Sequence, residues 1–261
     1  LQATRRHVRI VHTADFHLDN DGYGNAREQE AYRVRSRASF CAVIDHAVEQ
    51  GADLLLVAGD MFDHNRVSDE TVGFVQSQFR RLQRPVVVLP GNHDCLYPNS
   101  VYDRYDLSGA CENVRVITAL HGQAVEFPEL DLVVWGRAME EHAPGFRPLE
   151  EIPSRQGDRW HVAMAHGFFY ESGHSIERAS PILAQEIRDC GWDYLALGHQ
   201  HVLSDVSQGQ VKAYYSGAPL NSWIDRRPAG YVVVLDLSPE TGVSAQAQEV
   251  VIREKAVSSK Q

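Results

Sequence analysis

Asp53 to Ala58 is a run that, from Leu54 onward, presents no polar side chain to solvent on either face of a strand. A strand that alternates apolar and polar residues can keep one face wet, whereas a run that is apolar at every position must be covered on both faces. Pro85 to Leu89 repeats the pattern, and Val8 to Val11 is a shorter strand. Such strands belong to a sheet covered by helices, and helical patterns fill the gaps between them. The first is expected from about Arg27 to Gln50, with Phe40, Val43, Ile44, Ala47 and Val48 at core spacing and Gly51 as its stop. The second opens at Ser68, followed by Glu70, and carries an apolar pattern to Leu82. The first half therefore reads βαβαβ.

The second half is richer in strands: Val114 to Ile117, Leu132 to Trp135, His161 to Ala165, Tyr194 to Leu197, Val211 to Ser216 and Tyr231 to Leu237, with one helix near Ile182 to Arg188. There is no internal repeat and no low-complexity linker. One α/β unit is expected over residues 1–253, with 254–261 as a frayed tail.

The polar residues gather just beyond the strands. Asp15 and His17 follow the first, Asp60 follows Gly59 after the second, and Asn92, His93 and Asp94 follow Gly91 after the third. In an open α/β sheet the carboxyl ends of the strands form one rim, where ligands bind. His166 follows the strand ending at Ala165, and His199 and His201 follow the one ending at Leu197, two apart and so able to face one side if the chain stays extended. Two carboxylates, one amide and four imidazoles suffice for two divalent ions if one carboxylate bridges. The mixed nitrogen and oxygen donors suit manganese, iron or zinc better than calcium or magnesium. Gly59, Gly91 and Gly198 stand where a tight exit from a buried strand needs unusual backbone angles or close packing.

Composition narrows the substrate and the compartment. Lys and Arg total 25 against 35 Asp and Glu, a formal charge of −10 that opposes general attraction to nucleic acid. Local clusters such as Arg33, Arg35 and Arg37, Arg80, Arg81 and Arg84, or Arg226 and Arg227 would have to supply any duplex-binding surface. No stretch approaches the roughly 20 apolar residues of a membrane span, and the four cysteines form no CxxC pair. A cytoplasmic protein with free thiols is expected.

Asp15-x-His17, Gly59-Asp60, Gly91-Asn92-His93-Asp94, His166 and Gly198-His199-x-His201 resemble, in order and context, the five motifs of the calcineurin-like metallophosphoesterases. The resemblance implies a four-layer αββα sandwich with a dinuclear metal site at the strand C-terminal rim. Asp15, His17, Asp60 and His201 would hold one ion, and Asp60, Asn92, His166 and His199 the other. The ions would supply a polarised phosphoryl oxygen and an acidified water. His93, not needed as a ligand, is free to give a proton to the departing alkoxide or to stabilise the transition-state charge, with Asp94 to orient it.

The flanks carry a narrower resemblance. His12-Thr13-Ala14-Asp15-Phe16-His17-Leu18, Gly59-Asp60-Met61-Phe62-Asp63, Asp193 to His199 and Tyr215-Ser216-Gly217-Ala218-Pro219 look like the SbcD-like DNA repair exonuclease branch. That implies two manganese ions, DNA as substrate, a coiled-coil ATPase partner and a homodimer, for which the first long helix is a candidate surface. A small phosphodiester or phosphomonoester, such as a nucleotide or cyclic nucleotide, is the enzymatic alternative. A non-catalytic scaffold of the same fold should lack ligands, yet all seven positions and His93 are filled.

Other residues have plainer readings. His7, His46, His64, His121, His142, His161 and His174 are expected to be surface or hydrogen-bonded core histidines. Asp63 is either a partner that holds a ligand histidine or an exposed turn carboxylate or helix cap. Phe168, Phe169, Tyr170, Tyr214, Tyr215 and Trp223 lie near the ligand loops in sequence and read mostly as core or pocket wall.

Overall fold

Two six-stranded sheets lie face to face: the first has four parallel strands with an antiparallel pair added at one edge, and the second has four parallel strands with one antiparallel strand at each edge. The computed structural model describes residues 5–20, 24–171, 176, 178–220 and 230–252. The expected tail 254–261, His174, Trp223, Arg226 and Arg227 lie outside them.

The chain begins with β1 (Val8–Thr13), α1 (Ala26–Glu49), β2 (Leu54–Ala58), α2 (Asp69–Leu82) and β3 (Val86–Leu89). Two short helices, α3 (Val101–Arg104) and α4 (Leu107–Ala110), lead to β4 (Val114–Val116), β5 (Gln123–Phe127), β6 (Leu132–Gly136), β7 (Trp160–His166), β8 (Phe168–Tyr170) and β9 (Pro181–Leu183). After α5 (Ala184–Cys190) come β10 (Tyr194–Gly198), β11 (Ser204–Asp205), β12 (Lys212–Tyr215), β13 (Tyr231–Ser238) and β14 (Gly242–Glu249). The first sheet runs β14-β13-β1-β2-β3-β4 and the second β11-β12-β10-β7-β6-β5. The two halves of the chain thus build mainly one sheet each, and β13 and β14 return to extend the first.

Local chemistry sets the helix ends. Asn25 caps α1, accepting from the backbone N–H groups of Arg27 and Glu28, while the Glu28 carboxylate accepts from the Asn25 N–H. Ser68 caps α2 through the Thr71 N–H. One expected core residue is not in the core: Val48 is 53% exposed. Phe40, Val43, Ile44 and Ala47 form a narrow stripe, and the next apolar residue of a 3.6-residue period falls past its edge.

Three buried clusters define four layers. Phe40, Ile44, Val75 and Phe79 of the helices pack on Val11, Leu55, Val57 and Val88 on the outer face of the first sheet. Ile10, Leu54, Leu56 and Val87 on its inner face meet Leu132, Val134, Val162 and Tyr194 of the second. The far face of the second sheet carries Trp135, Ala163, Leu195 and Leu197, covered by Ile187 of α5, Leu149 and Trp192. This is the αββα sandwich. The helix expected from about Ile182 starts only at Ala184, because Pro181–Leu183 pairs in parallel with Phe168–Tyr170. Among the described residues no helix is long and apolar enough to cross a membrane.

His12 is fully buried between the sheets, with Nδ1 3.0 Å from the Tyr194 hydroxyl and no hydrogen-bond partner for Nε2 among the described residues. Burial pushes its pKa down to about 3. The folded protein therefore holds His12 neutral while the unfolded chain protonates it below about pH 6.5, so its share of stability is complete above that pH and falls as pH drops toward 3. In metal-free protein, urea unfolding at pH 7.5 and 5.0 should show the parent losing about 2 kcal/mol more than His12→Phe over that interval. Equal losses in the two proteins would remove His12 from the acid sensitivity.

Candidate metal centre

All seven ligand-type residues singled out in the sequence converge on one rim. β1 delivers Asp15 and His17, β2 delivers Asp60, β3 delivers Asn92, β7 ends on His166 itself, and β10 delivers His199 and His201. The exits of β1 and β2 run side by side: Asp15 N–H donates to Gly59 O, His17 N–H to Asp60 O and Leu18 N–H to Met61 O, each at 3.0 Å. β7 and β10 are parallel neighbours with His166 level with Gly198.

The backbone is held in an unusual conformation at four of these positions. Asp15, His17, Asp60 and His199 have φ of 58°, 48°, 50° and 98°, a region that costs a non-glycine residue about 1–3 kcal/mol and persists where its surroundings enforce it. Close packing also explains the three glycines. A Cβ on Gly59 would collide with the His166 ring, one on Gly91 with the Asp60 carboxylate, and one on Gly198 with the Ala58 carbonyl.

Among the described residues three groups of atoms could each hold a metal ion: Asp15 with His17 and His201, Asp60 with His166 and His199, and His17 with Asp63 and His93; the first two contain the expected ligands. His17 Nε2 is 3.1 Å from His201 Nε2, and His199 Nδ1 is 3.3 Å from His166 Nε2. Asn92 Oδ1 joins the second group, 3.0 Å from His166 Nε2 and 2.7 Å from His199 Nδ1. Asp60 Oδ2 reaches both groups, 3.7 Å from His17 Nε2 and 3.3 Å from His166 Nε2. The Asp15 carboxylate accepts from the His199 backbone N–H.

These residues fit a pair of divalent ions. The outward nitrogen of each of two histidines is engaged, His17 Nδ1 by Asp63 Oδ1 at 3.0 Å and His166 Nδ1 by the Ala58 carbonyl at 2.9 Å. An N–H donated outward leaves the Nε2 lone pair directed inward, which is how protein metal sites orient imidazole ligands. The site also calls for positive charge. Burial disfavours protonation of both rings, yet Asp63 and Asp60 push His17 up to about 9, and Asp60 with Asp15 pushes His166 up to about 9. Burial drives the Asp60 carboxyl upward, but His166 and His17 hold it well below the usual carboxylate range. Burial and then His166 lower His199 to about 2, so it presents a neutral ring.

His93 stands beside the first group, its ring centroid 4.5 Å from that of His17. Its orientation differs from the expected one. Asp94 forms its hydrogen bonds elsewhere, accepting from Gly91 N–H at 2.7 Å, Phe62 N–H at 3.1 Å and the Tyr102 hydroxyl at 2.8 Å. It fastens the loop rather than the ring, and burial together with Asp60 raises its pKa to about 6. The ring is set instead by the Asp63 carbonyl, 2.7 Å from His93 Nδ1. Asp63 thus touches both His17 and His93, which resolves its two readings in favour of a partner to the site.

One contact had no signal in the sequence, and a second was expected only as pocket wall. His142, expected as an ordinary histidine, lies with its ring centroid 5.2 Å from that of His199. Phe168 packs edge-on to His199 at 4.0 Å, with the Arg178 guanidinium 4.6 Å from the centre of the Phe168 ring. Tyr215 is fully buried and donates to the Gly167 carbonyl, so it is core. Four arginines of these clusters are engaged with neighbours: Arg33 with Glu30, Arg37 with Glu70, Arg81 with Asp45, and Arg80 with the Ala110 carbonyl.

Comparison with known proteins gives this geometry a family. The family model for calcineurin-like phosphoesterase matches residues 8–203. The chain is 28% identical to the uncharacterized metallophosphoesterase YhaO of Bacillus subtilis, over 95% of this chain and 62% of that protein. It is 25% identical to the SbcD component of the nuclease SbcCD of the same organism, over 94% and 70%. It is also 25% identical to the DNA double-strand break repair protein Mre11 of Methanosarcina mazei, over 88% and 36%. It therefore spans only part of the length of each of these relatives. The crystal structure of TT1561 of Thermus thermophilus shares the fold, with a TM-score of 0.60 at 9% identity over 94% of this chain and 99% of that one. The chain belongs to the calcineurin-like phosphoesterases, a family of phosphoester hydrolases that use a dinuclear metal site.

Proposed function

We propose that this chain is a metal-dependent phosphodiesterase of the SbcD-like nuclease branch, acting on DNA. Asp15, His17, Asp60 and His201 would hold one divalent ion, manganese foremost, and Asp60, Asn92, His166 and His199 the other. The observation that carries the reading is the place of Asp60, within 3.7 Å of His17 on one side and 3.3 Å of His166 on the other, as a bridging carboxylate must be. The likeness to the SbcD component of SbcCD over 94% of the chain supports the branch, and a coiled-coil ATPase is the partner that goes with it.

When bound, the ions would supply charge neutralisation at a phosphoryl oxygen and a more acidic water. The protein's own part is positional and acid–base. Hydrolysis of a diester consumes one water and yields a phosphomonoester and an alcohol, whose oxygen needs a proton as the P–O bond breaks. His93 keeps its Nδ1 proton on the Asp63 carbonyl and so gives from Nε2. Asp94 and Tyr102 fix the loop that carries it.

One observation favours a second reading, a small phosphodiester such as a nucleotide or cyclic nucleotide. The chain carries a formal charge of −10, and Arg33, Arg37 and Arg81 are each committed to a carboxylate. The test is manganese-dependent hydrolysis of single- and double-stranded DNA beside bis-p-nitrophenyl phosphate, at rising salt. A nuclease should degrade DNA with an affinity that drops steeply with salt. Turnover of the small diester alone would select the second reading, and no turnover of either would reject both.

A further inference from the structure

His142 belongs to none of the groups of described side chains that could hold a metal ion, yet its ring leans against His199, 5.2 Å between centroids and tilted by 39°. It comes from the connection between β6 and β7, which also touches the loop after β3, where the Met139 carbonyl accepts from the Leu96 N–H at 2.8 Å. What holds it there is Ser180, whose hydroxyl lies 2.9 Å from His142 Nδ1. Ser180 is itself fully buried and doubly tied, its N–H donating to the Ala143 carbonyl at 3.1 Å and its carbonyl accepting from Phe168 N–H at 3.0 Å. It sits at a φ of 51°, in the left-handed region, and a Cβ on Gly167 would strike its carbonyl. The chain therefore accepts a strained residue and a glycine to bring one hydroxyl to one imidazole.

That arrangement has a chemical consequence. The Ser180 hydroxyl can donate to Nδ1 or accept from it; when it donates, the ring proton sits on Nε2, at the edge turned away from Ser180. No hydrogen bond to that nitrogen is formed among the described residues, and His142 is only half buried. Phe168, 6.5 Å from His142 and 4.0 Å from His199, limits where the two rings can go. His93 flanks the centre on the His17 side; His142 flanks it on the side of His199 and His166. The substrate of a phosphodiesterase carries two non-bridging oxygens besides the departing one, so a donor on the His199 side would have an oxygen to hold that His93, turned to the departing alkoxide, does not serve.

Resting on the phosphodiesterase reading above, we infer that His142, positioned by Ser180, is a substrate-binding residue that donates its Nε2–H to a phosphoryl oxygen on the His166 and His199 side of the centre. Its role is to hold and orient the phosphoryl group, and it is a ligand of neither ion.

The test compares the parent with His142→Ala, His142→Gln and Ser180→Ala, each loaded with manganese. Three quantities are measured: metal content, affinity for inorganic phosphate by calorimetry, and kcat/KM on bis-p-nitrophenyl phosphate. His142→Ala should keep two ions per chain while losing about 30-fold in kcat/KM and about ten-fold in phosphate affinity, the size expected of one hydrogen bond to a charged oxygen. Gln places an N–H near the Nε2 position and should restore most of both, a recovery that a packing role would not give. Ser180→Ala should fall between, because Nδ1 loses the partner that fixes the tautomer. Unchanged phosphate affinity in His142→Ala, loss of metal in either His142 variant with Ser180→Ala unaffected, or a Gln variant as weak as Ala would each overturn the inference. A parent that binds phosphate through His142 but cleaves no diester would instead refute the proposed function and leave this contact standing.

Discussion

Asp60→Asn is expected to remove at least about a thousand-fold of the manganese-dependent diesterase activity, roughly 4 kcal/mol of transition-state stabilisation, and to abolish two-ion binding. The amide keeps the size of the carboxylate and an oxygen for the His93 backbone N–H, which Asp60 Oδ1 accepts at 2.9 Å. It loses the negative charge that both imidazole groups share, from His17 on one side and His166 on the other. The clearest reading is thermodynamic. Metal that binds only the folded chain stabilises it by about 2.7 kcal/mol per site at a hundredfold excess over Kd, which for a domain of this size raises Tm by roughly 5–10 °C for each ion bound. The parent should show that rise on adding manganese and Asp60→Asn should show little of it. A variant that still binds two ions and keeps activity within tenfold of the parent would mean that Asp60 does not bridge and that the centre lies elsewhere.

The residues behind this expectation were legible because each follows a buried apolar strand, and such strands announce themselves. Leu54–Ala58 and Val86–Leu89 are covered on both faces, so the first polar residues beyond them stand out. The strands without such a signal are of the opposite kind. β14 and β5 lie at sheet edges, with burial that alternates along Gln123–Phe127 and stays shallow along Gly242–Glu249; their alternating small and polar residues give little hydrophobic contrast. Position within the site was legible only as far as sequence neighbours could show it. That His93 is oriented by Asp63 rather than by the adjacent Asp94 depends on two loops meeting, and the approach of His142 to His199 depends on Ser180 in a third. The left-handed backbone at Asp15, His17, Asp60 and His199 left no mark either, since none of the four is a glycine. It is enforced by the contact of one loop with the next, such as the Asp15 N–H on the Gly59 carbonyl.

His93→Ala separates acid catalysis from metal binding, because its expected effect depends on the leaving group. The ring touches the Asp63 carbonyl through Nδ1 and packs beside His17, and its half-exposed side chain lies outside the two expected ligand sets, although with His17 and Asp63 it forms a third group that could hold an ion. The variant should therefore retain two ions and the metal-induced rise in Tm. Its kcat on DNA, where an alkoxide must depart, should fall about 10²- to 10⁴-fold, the range general acid catalysis supplies. On bis-p-nitrophenyl phosphate the departing phenolate is stable without a proton near neutral pH, and the loss should be smaller by about an order of magnitude or more. Equal losses on the two substrates would assign His93 to stabilising charge on the phosphoryl group, since that contribution does not depend on what departs. Loss of metal together with activity would make His93 a ligand and require the two groups of side chains to be redrawn.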